Sequence, residues 1–252
     1  MKGSDSVTYV GHATVLVELD GTRLLTDPIL RKRVGPLVRH GATPAPTTSE
    51  RLDAVLISHL HHDHADLASL RRLDPATRLL VPPGSRDFFA RHGFSAVTEL
   101  APGESAAVGG LTVAAVEADH DGGRRRFAPD PQAIGFLVSG QRSVYFAGDT
   151  DYFPAMEALG AGLDLALLPI WGWGPNIGEG HLDPEGAARA AAALSPRLAV
   201  PIHWGTLYPF GLRRLRSAPL RKPAERFSAS LRQLAPQVEA RVLSPGESTP
   251  LA

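Results

Sequence analysis

With 252 residues, 43% of them hydrophobic and 21% charged, the chain has an ordinary globular composition and reads as one domain over 1–252 with a sizeable core. Its 26 basic and 26 acidic residues cancel to a formal charge of zero, which excludes a global field for nucleic acid or an anionic membrane, so any affinity for anions is local. Cysteine is absent, so disulfides and thiolate ligands are excluded, and His, Asp and Glu are the strong metal ligands left.

The amino terminus has no apolar signal core, and no later run approaches the roughly eighteen apolar residues of a membrane span. This reads as a soluble, cytoplasmic protein without integral membrane association. Short strands are expected at 7–10, 14–19 and 23–26, the last two joined by an Asp20-Gly21 hairpin turn. Asp27, before Pro28, stands at a strand end, where it either braces a metal-bound histidine or forms a simple turn. Residues 31–50, rich in Arg, Pro, Gly and Thr, read as an irregular connection that can border a site, with His40 on the surface.

The apolar run 54–57 reads as a buried strand, and it delivers Ser58-His59-Leu60-His61-His62-Asp63-His64, four imidazoles and a carboxylate at one strand end. In an extended chain, side chains two apart point the same way. His59 and His61 therefore converge, His62 faces away, and the turn that follows presents Asp63 and His64 from another direction. One loop can serve two adjacent cations. A helix at 65–73 and a strand at 78–81 complete a β-loop-α-β unit with the ligands at the strand's carboxyl end, where sites in α/β folds gather.

A helix is expected at 85–92, with His92 in its cap, and strands at 105–108 and 111–117. The second strand runs on to His120, either a ligand or a satisfied loop residue. Arg124 and Arg125, in the basic stretch 121–127, are expected to hold an anionic group of a substrate, a solvated loop being the alternative. Strands at 133–138 and 143–147 lead to Gly148-Asp149, and a strand at 163–170 leads to the Trp171-Gly172-Trp173 loop.

Asp183 is placed as the N-cap and Pro184 as the first residue of a helix at 184–194, which sets His181 on a loop at a helix start. A strand at 198–202 ends at His203. The tail carries Arg213, Arg214, Arg216, Arg221 and Lys222, then a helix near 226–234 and a strand near 238–243. Trp171, Trp173, Trp204, Tyr208 and Phe210 are expected at an apolar pocket mouth, with core packing as the alternative.

The strand ends together provide ligands for two divalent cations: His59, His61 and His120 for one, Asp63, His64 and His203 for the other, with Asp149 bridging. Imidazole and carboxylate suit zinc first, and also manganese or iron(II). His12, after a strand and Gly11, either supports a metal ligand or makes only a structural hydrogen bond beneath the site.

The pattern His59-x-His61-x-Asp63-His64, then His120, Gly148-Asp149-Thr150 and Pro201-Ile202-His203-Trp204, resembles the metallo-β-lactamase superfamily. Tyr9-Val10-Gly11-His12-Ala13-Thr14-Val15, Thr26-Asp27-Pro28 and His181-Leu182-Asp183-Pro184-Glu185 are similar to one of its branches. That branch contains the N-acyl-phosphatidylethanolamine-hydrolysing phospholipase D and the ascorbate-6-phosphate lactonase.

The resemblance implies an α/β fold of the αββα four-layer sandwich type with a hydrolytic site on one edge. It implies a metal-dependent hydrolase whose metal-bridging hydroxide, formed at neutral pH between cations about 3.5–4 Å apart, attacks a small phosphodiester, lactone or ester-like substrate. Asp63 belongs to that catalytic centre. His181 either protonates the leaving group, orients the substrate or only fixes its loop. A metal-binding sensor or scaffold without turnover is the alternative, and a nuclease a weaker one given the neutral charge.

Overall fold

Period-two patterning sets the architecture of the computed structural model, which describes residues 5–122, 131–160, 162–174, 176–214 and 217–251. In Leu111–Glu117, for example, Leu111, Val113 and Ala115 are buried while Thr112 is exposed and Ala114 and Val116 are half-buried. Strands of this kind assemble into two seven-stranded sheets. The first runs Glu247–Pro250, Ser6–Gly11, Thr14–Leu19, Thr22–Thr26, Ala54–Leu56, Arg78–Val81, Val97–Glu99. The second runs Glu239–Ala240, Leu198–Ile202, Leu165–Pro169, Ser143–Phe146, Ile134–Ser139, Leu111–Glu117, Ser105–Val108.

The inner faces share one core, in which Val7, Val17, Leu24 and Leu56 cluster with Val113, Phe136, Phe146 and Val200. Helices cover both outer faces. Leu70 and Phe89, from Leu67–Leu70 and Arg86–Arg91, pack with Val55, Leu79 and Val81. On the other side Ala187, Ala191 and Leu194 of Pro184–Leu194 and Phe227 and Leu231 of Lys222–Leu234 pack with Ala166, Leu168 and Ala199. Each fully buried large apolar side chain contributes about 1.5–3 kcal/mol, so burial on two faces, rather than local propensity, holds strands this short. The arrangement is the αββα sandwich. Among the described residues no helix is long and apolar enough to cross a membrane.

Local detail follows the sequence in places and departs from it in others. Asp20 and Gly21 both have positive φ (51° and 80°), the type I′ hairpin turn. The helix expected at 65–73 contracts to the single turn Leu67–Leu70, capped by the Asp66 carboxylate, which accepts from the Ser69 backbone N–H. The residues before it form a separate tight turn, His64 N and Ala65 N both donating to His61 O (3.1 and 2.9 Å). That turn aims Asp63 and His64 inward.

Residues 31–50 are not wholly irregular: Arg33–Val34 and Leu37–Arg39 form a three-stranded sheet with Leu207–Pro209. Its partner strand lies far along the chain, so no local pattern announces it. The strand expected at 238–243 is only Glu239–Ala240, while Glu247–Pro250 pairs with Ser6–Gly11 as an unanticipated edge strand. An edge is where Pro250 is tolerated, because its missing N–H breaks no ladder.

Candidate active site

Several strands end at one rim of the sandwich, and each leaves a polar side chain there. Ala54–Leu56 runs on to His59 and His61, Leu111–Glu117 to His120, Ser143–Phe146 to Asp149 and Leu198–Ile202 to His203. Main-chain bonds lock the rim: Ile134 N donates to Ser58 O (3.0 Å), Leu60 N to Gly122 O (3.0 Å) and His203 N to His12 O (2.8 Å). The chain turns sharply to do this. His12, Asp27 and His203 take the left-handed conformation (φ 60°, 32° and 61°), as does Gly148 (φ 64°). Such strain in non-glycine residues gathers where function requires a fixed geometry.

The hydrogen bonds fix the imidazole tautomers. His64 Nδ1 donates to Asp27 Oδ2 (2.7 Å), His120 Nδ1 to Gly180 O (2.8 Å), His203 Nδ1 to Trp171 O (2.8 Å) and His181 Nδ1 to Glu179 O (2.9 Å). Ser58 Oγ donates to Asp27 Oδ2 (2.6 Å) and so accepts from His59 Nδ1 (2.9 Å). In its neutral form each of these five rings therefore carries its lone pair on Nε2.

Those lone pairs face one another. His64 Nε2 and His203 Nε2 are 2.9 Å apart, and Asp149 presents Oδ2 and Oδ1 to them at 3.2 and 3.3 Å. His61 Nδ1 lies 2.9 Å from His59 Nε2 and 3.3 Å from His120 Nε2. Asp149 Oδ1 is buried with no hydrogen-bond donor. Neutral His64 and His203 have committed their hydrogens through Nδ1, and acceptors this close beside a carboxylate are reconciled by a shared cation. The residues thus fit divalent metal.

The ligand atoms of His59, His61 and His120 lie within 4.8 Å of one another, as do those of His12, Asp63, His64 and His203, and those of His120, Asp149 and His181. All seven residues proposed as ligands from the sequence meet here. His12 adds itself to the second group, its Nε2 2.9 Å from Asp63 Oδ2, the same oxygen that faces His64 and His203 at 3.8 and 3.7 Å.

Electrostatics agree with this fit. Burial lowers the pKa of His59, His61 and His120, the last to about 4, and keeps these imidazoles in the neutral, ligating form. Burial would raise Asp63 and Asp149, but the surrounding histidines, His64 foremost for Asp63 and His203 for Asp149, hold both well below the usual carboxylate range. Burial would lower His64, yet Asp149, Asp27 and Asp63 outweigh it and raise it well above normal. The three carboxylates call for positive charge at this point.

A family model described as the beta-lactamase superfamily domain matches residues 22–204. The chain belongs to the beta-lactamase superfamily. It is 33% identical over 251 residues to a UPF0173 metal-dependent hydrolase from Opitutus terrae, covering 96% of this chain and 98% of that one. Over 232 residues it is 33% identical to the N-acyl-phosphatidylethanolamine-hydrolyzing phospholipase D 1 of Caenorhabditis elegans, covering 81% of this chain and 64% of that protein. The chain spans 63% of the length of mycobacterial relatives. A metallo hydrolase from the archaeon Ignicoccus hospitalis superposes with a TM-score of 0.74 over 98% of each chain; at 24% identity this likeness is one of fold. Fold and family thus agree with a site whose donor set fits divalent metal.

In this superfamily member a cleft of about 720 Å³ opens directly over the centre, a volume suited to a small organic molecule. His61, Asp63, Asp149, His181 and His203 form part of its lining, together with the apolar residues Val34, Pro36, Leu37, Trp173 and Ile177. His181 Nε2 stands 3.5 Å from Asp149 Oδ2. Burial would lower the His181 pKa, but Asp149 and the Glu179 carbonyl outweigh it and raise it.

Other expectations shift. Trp173 lines the cleft, but Tyr208 is buried beside His40 in the small sheet and does not reach it. Trp171 acts through its carbonyl on His203 and bonds its indole N–H to Gly174 O (3.0 Å), outside the cleft lining. Trp204 bonds Pro201 O (3.0 Å) and lines a separate groove. Arg124 and Arg125, like Arg216, lie outside the described residues. His62 is exposed, turned from the ligating atoms but still at the cleft.

The apolar wall at 34–37 and Ile177 had no signal in the sequence. Ser58, which links His59 to Asp27, had only its position beside the first histidine.

Proposed function

We propose that the chain holds two divalent cations, zinc by its ligand preference, and hydrolyses a small phosphodiester carrying an apolar group. His59, His61 and His120 hold one cation and Asp63, His64 and His203 the other, with Asp149 between them. The observation that carries this reading is the convergence of His64 Nε2 and His203 Nε2, on rings tied down through Nδ1, upon the buried and unpartnered Asp149 Oδ1, beside the His59, His61 and His120 cluster. When bound, such cations supply a nucleophile from water at neutral pH and polarise the scissile oxygen.

The chain's own residues do the rest. Asp27 and the carbonyls of Gly180 and Trp171 keep the Nε2 atoms aimed inward. His181, anchored through Nδ1 to Glu179 O, turns Nε2 to the cleft, where it exchanges a proton with the departing oxygen. Val34, Leu37, Trp173 and Ile177 bind the apolar part of the substrate and exclude water. The Caenorhabditis relative, named for a substrate that is a phosphodiester, favours that class over lactones and carboxylic esters.

Metal analysis combined with turnover of bis-aryl phosphodiesters, lactones and aryl esters, with and without chelator, tests the reading. Two equivalents of metal and chelator-sensitive phosphodiester cleavage are expected. Full metal loading with no phosphodiester cleavage refutes it. In His181→Ala, poor leaving groups should slow most; an equal loss on all substrates removes the proton-transfer role.

A further inference from the structure

The formal charge of zero hides a strong segregation. Nine of the 26 basic residues fall in two stretches, 31–49 and 204–224, which contain no Asp or Glu. The fold brings these stretches together, because Leu37–Arg39 pairs with Leu207–Pro209 in the small sheet. Two of the nine are spoken for internally. Arg39 is buried and donates to Val10 O and Ile29 O, and Arg31 is paired with Asp66. Lys32, Arg33, Arg213 and Arg214 are exposed, and no carboxylate among the described residues forms an ion pair with any of them.

In the middle of this cationic lobe stands Phe210, 76% exposed. Its position is set from within: Phe210 N donates to Pro36 O (3.0 Å), and the Arg33 guanidinium lies over the ring 5.7 Å from its centre. Pro36 also lines the active cleft, so Phe210 stands at the cleft's edge, and Trp173, 42% exposed, belongs to the cleft lining as well. Basic side chains around exposed aromatics are the combination that lodges at a lipid–water boundary.

We propose that this lobe docks the cleft mouth onto an anionic phospholipid surface. Lys32, Arg33, Arg213 and Arg214 meet the headgroups while Phe210 and Trp173 enter the boundary with the acyl chains. A lipid surface suits these residues better than a nucleic acid because the apolar character continues from Phe210 and Trp173 into the cleft walls Val34, Leu37 and Ile177. Each basic residue near an anionic leaflet contributes about a fivefold gain in partitioning. Four of them therefore contribute two to three orders of magnitude, roughly, before the aromatic rings are counted. Docking requires neither bound metal nor turnover, so it stands or falls apart from the hydrolytic reading.

The full chain is sedimented with vesicles of phosphatidylcholine alone and of equal parts phosphatidylcholine and phosphatidylglycerol. Binding to the anionic vesicles alone, weakening as salt shortens the screening length, is expected. Arg213→Glu with Arg214→Glu should lower it by at least about 25-fold. Phe210→Ser should weaken it while leaving the salt dependence in place. Arg71→Glu with Arg91→Glu, the same charge change on exposed residues outside the lobe, should leave it unaltered. Circular dichroism confirms that each variant folds. No binding to anionic vesicles, equal binding to neutral ones, equal loss in both charge-reversed pairs, or displacement from vesicles by single-stranded RNA at a lower concentration than lipid would overturn the proposal.

Discussion

Asp27 lies outside the set of proposed ligands, yet replacing it by Asn should disable two of them. Its carboxylate is fully buried and accepts three hydrogen bonds: Oδ1 from Ser58 N (2.8 Å), Oδ2 from Ser58 Oγ (2.6 Å) and from His64 Nδ1 (2.7 Å). Asparagine has the same shape but one acceptor oxygen. Whichever way the amide is turned, an NH₂ group faces either the Ser58 backbone N–H or the pair formed by Ser58 Oγ and His64 Nδ1. In the second orientation His64 must move its hydrogen to Nε2, the atom that faces His203 and Asp149, and can no longer ligate there. His59 is affected in turn, because its Nδ1 hydrogen rests on Ser58 Oγ.

A hydrogen bond to a charged group contributes about 1.5–3 kcal/mol. Losing one such bond therefore weakens metal binding by roughly ten- to a hundredfold, the range typical when a partner of a ligating histidine is removed. The assay is competition for zinc against a chromophoric chelator, with near-ultraviolet circular dichroism to confirm the fold. Asp27→Asn binding two equivalents of zinc at wild-type affinity would refute the tautomer argument.

Three further outcomes are expected. His12 donates to the Asp63 oxygen that faces His64 and His203, so His12→Gln, which keeps an N–H donor, should retain zinc stoichiometry, while His12→Leu should lose about tenfold or more in affinity at one site; titration calorimetry separates the two. Gly148→Ala meets Ser58 Cβ at 2.6 Å on a backbone with φ +64°, so it should lower both the melting temperature and zinc content, whereas a variant as stable as wild type would show that the Ser58 loop yields freely. Burial would raise the Asp164 pKa, but the Ser143 N–H and Arg142 hold it below its ordinary value. Its stabilisation is therefore complete above the unfolded pKa of about 3.9 and lost as pH falls through the folded value, so the gap in melting temperature between wild type and Asp164→Asn should close at acid pH.

What could be read in the sequence and what could not differ in physical kind. Metal ligands are polar atoms placed where the chain is otherwise apolar. His59, His61, His120, Asp149 and His203 each stand out because each follows a short apolar strand, and two-residue alternation is enough to aim the first two at one point. Asp27 was legible only as a choice between brace and turn, because a carboxylate before proline serves either; the bond to His64 decides it.

The cleft had no comparable contrast. Val34, Leu37 and Ile177 are ordinary apolar residues, and the wall at 34–37 exists only because Leu37–Arg39 finds Leu207–Pro209. The same pairing misdirected the reading of Tyr208, which in an isolated loop would be a rim aromatic but in a strand is turned into the interior beside His40. It also gathers lysines and arginines that appear scattered along the chain into one cationic lobe at the mouth. Chemistry at this site is carried by polar residues that alternation alone aligns, while recognition is carried by apolar and basic residues that only long-range strand pairing brings together. Two relatives that share every ligand can therefore differ in substrate through changes at 31–37 and 207–214, without any alteration in the histidine motif.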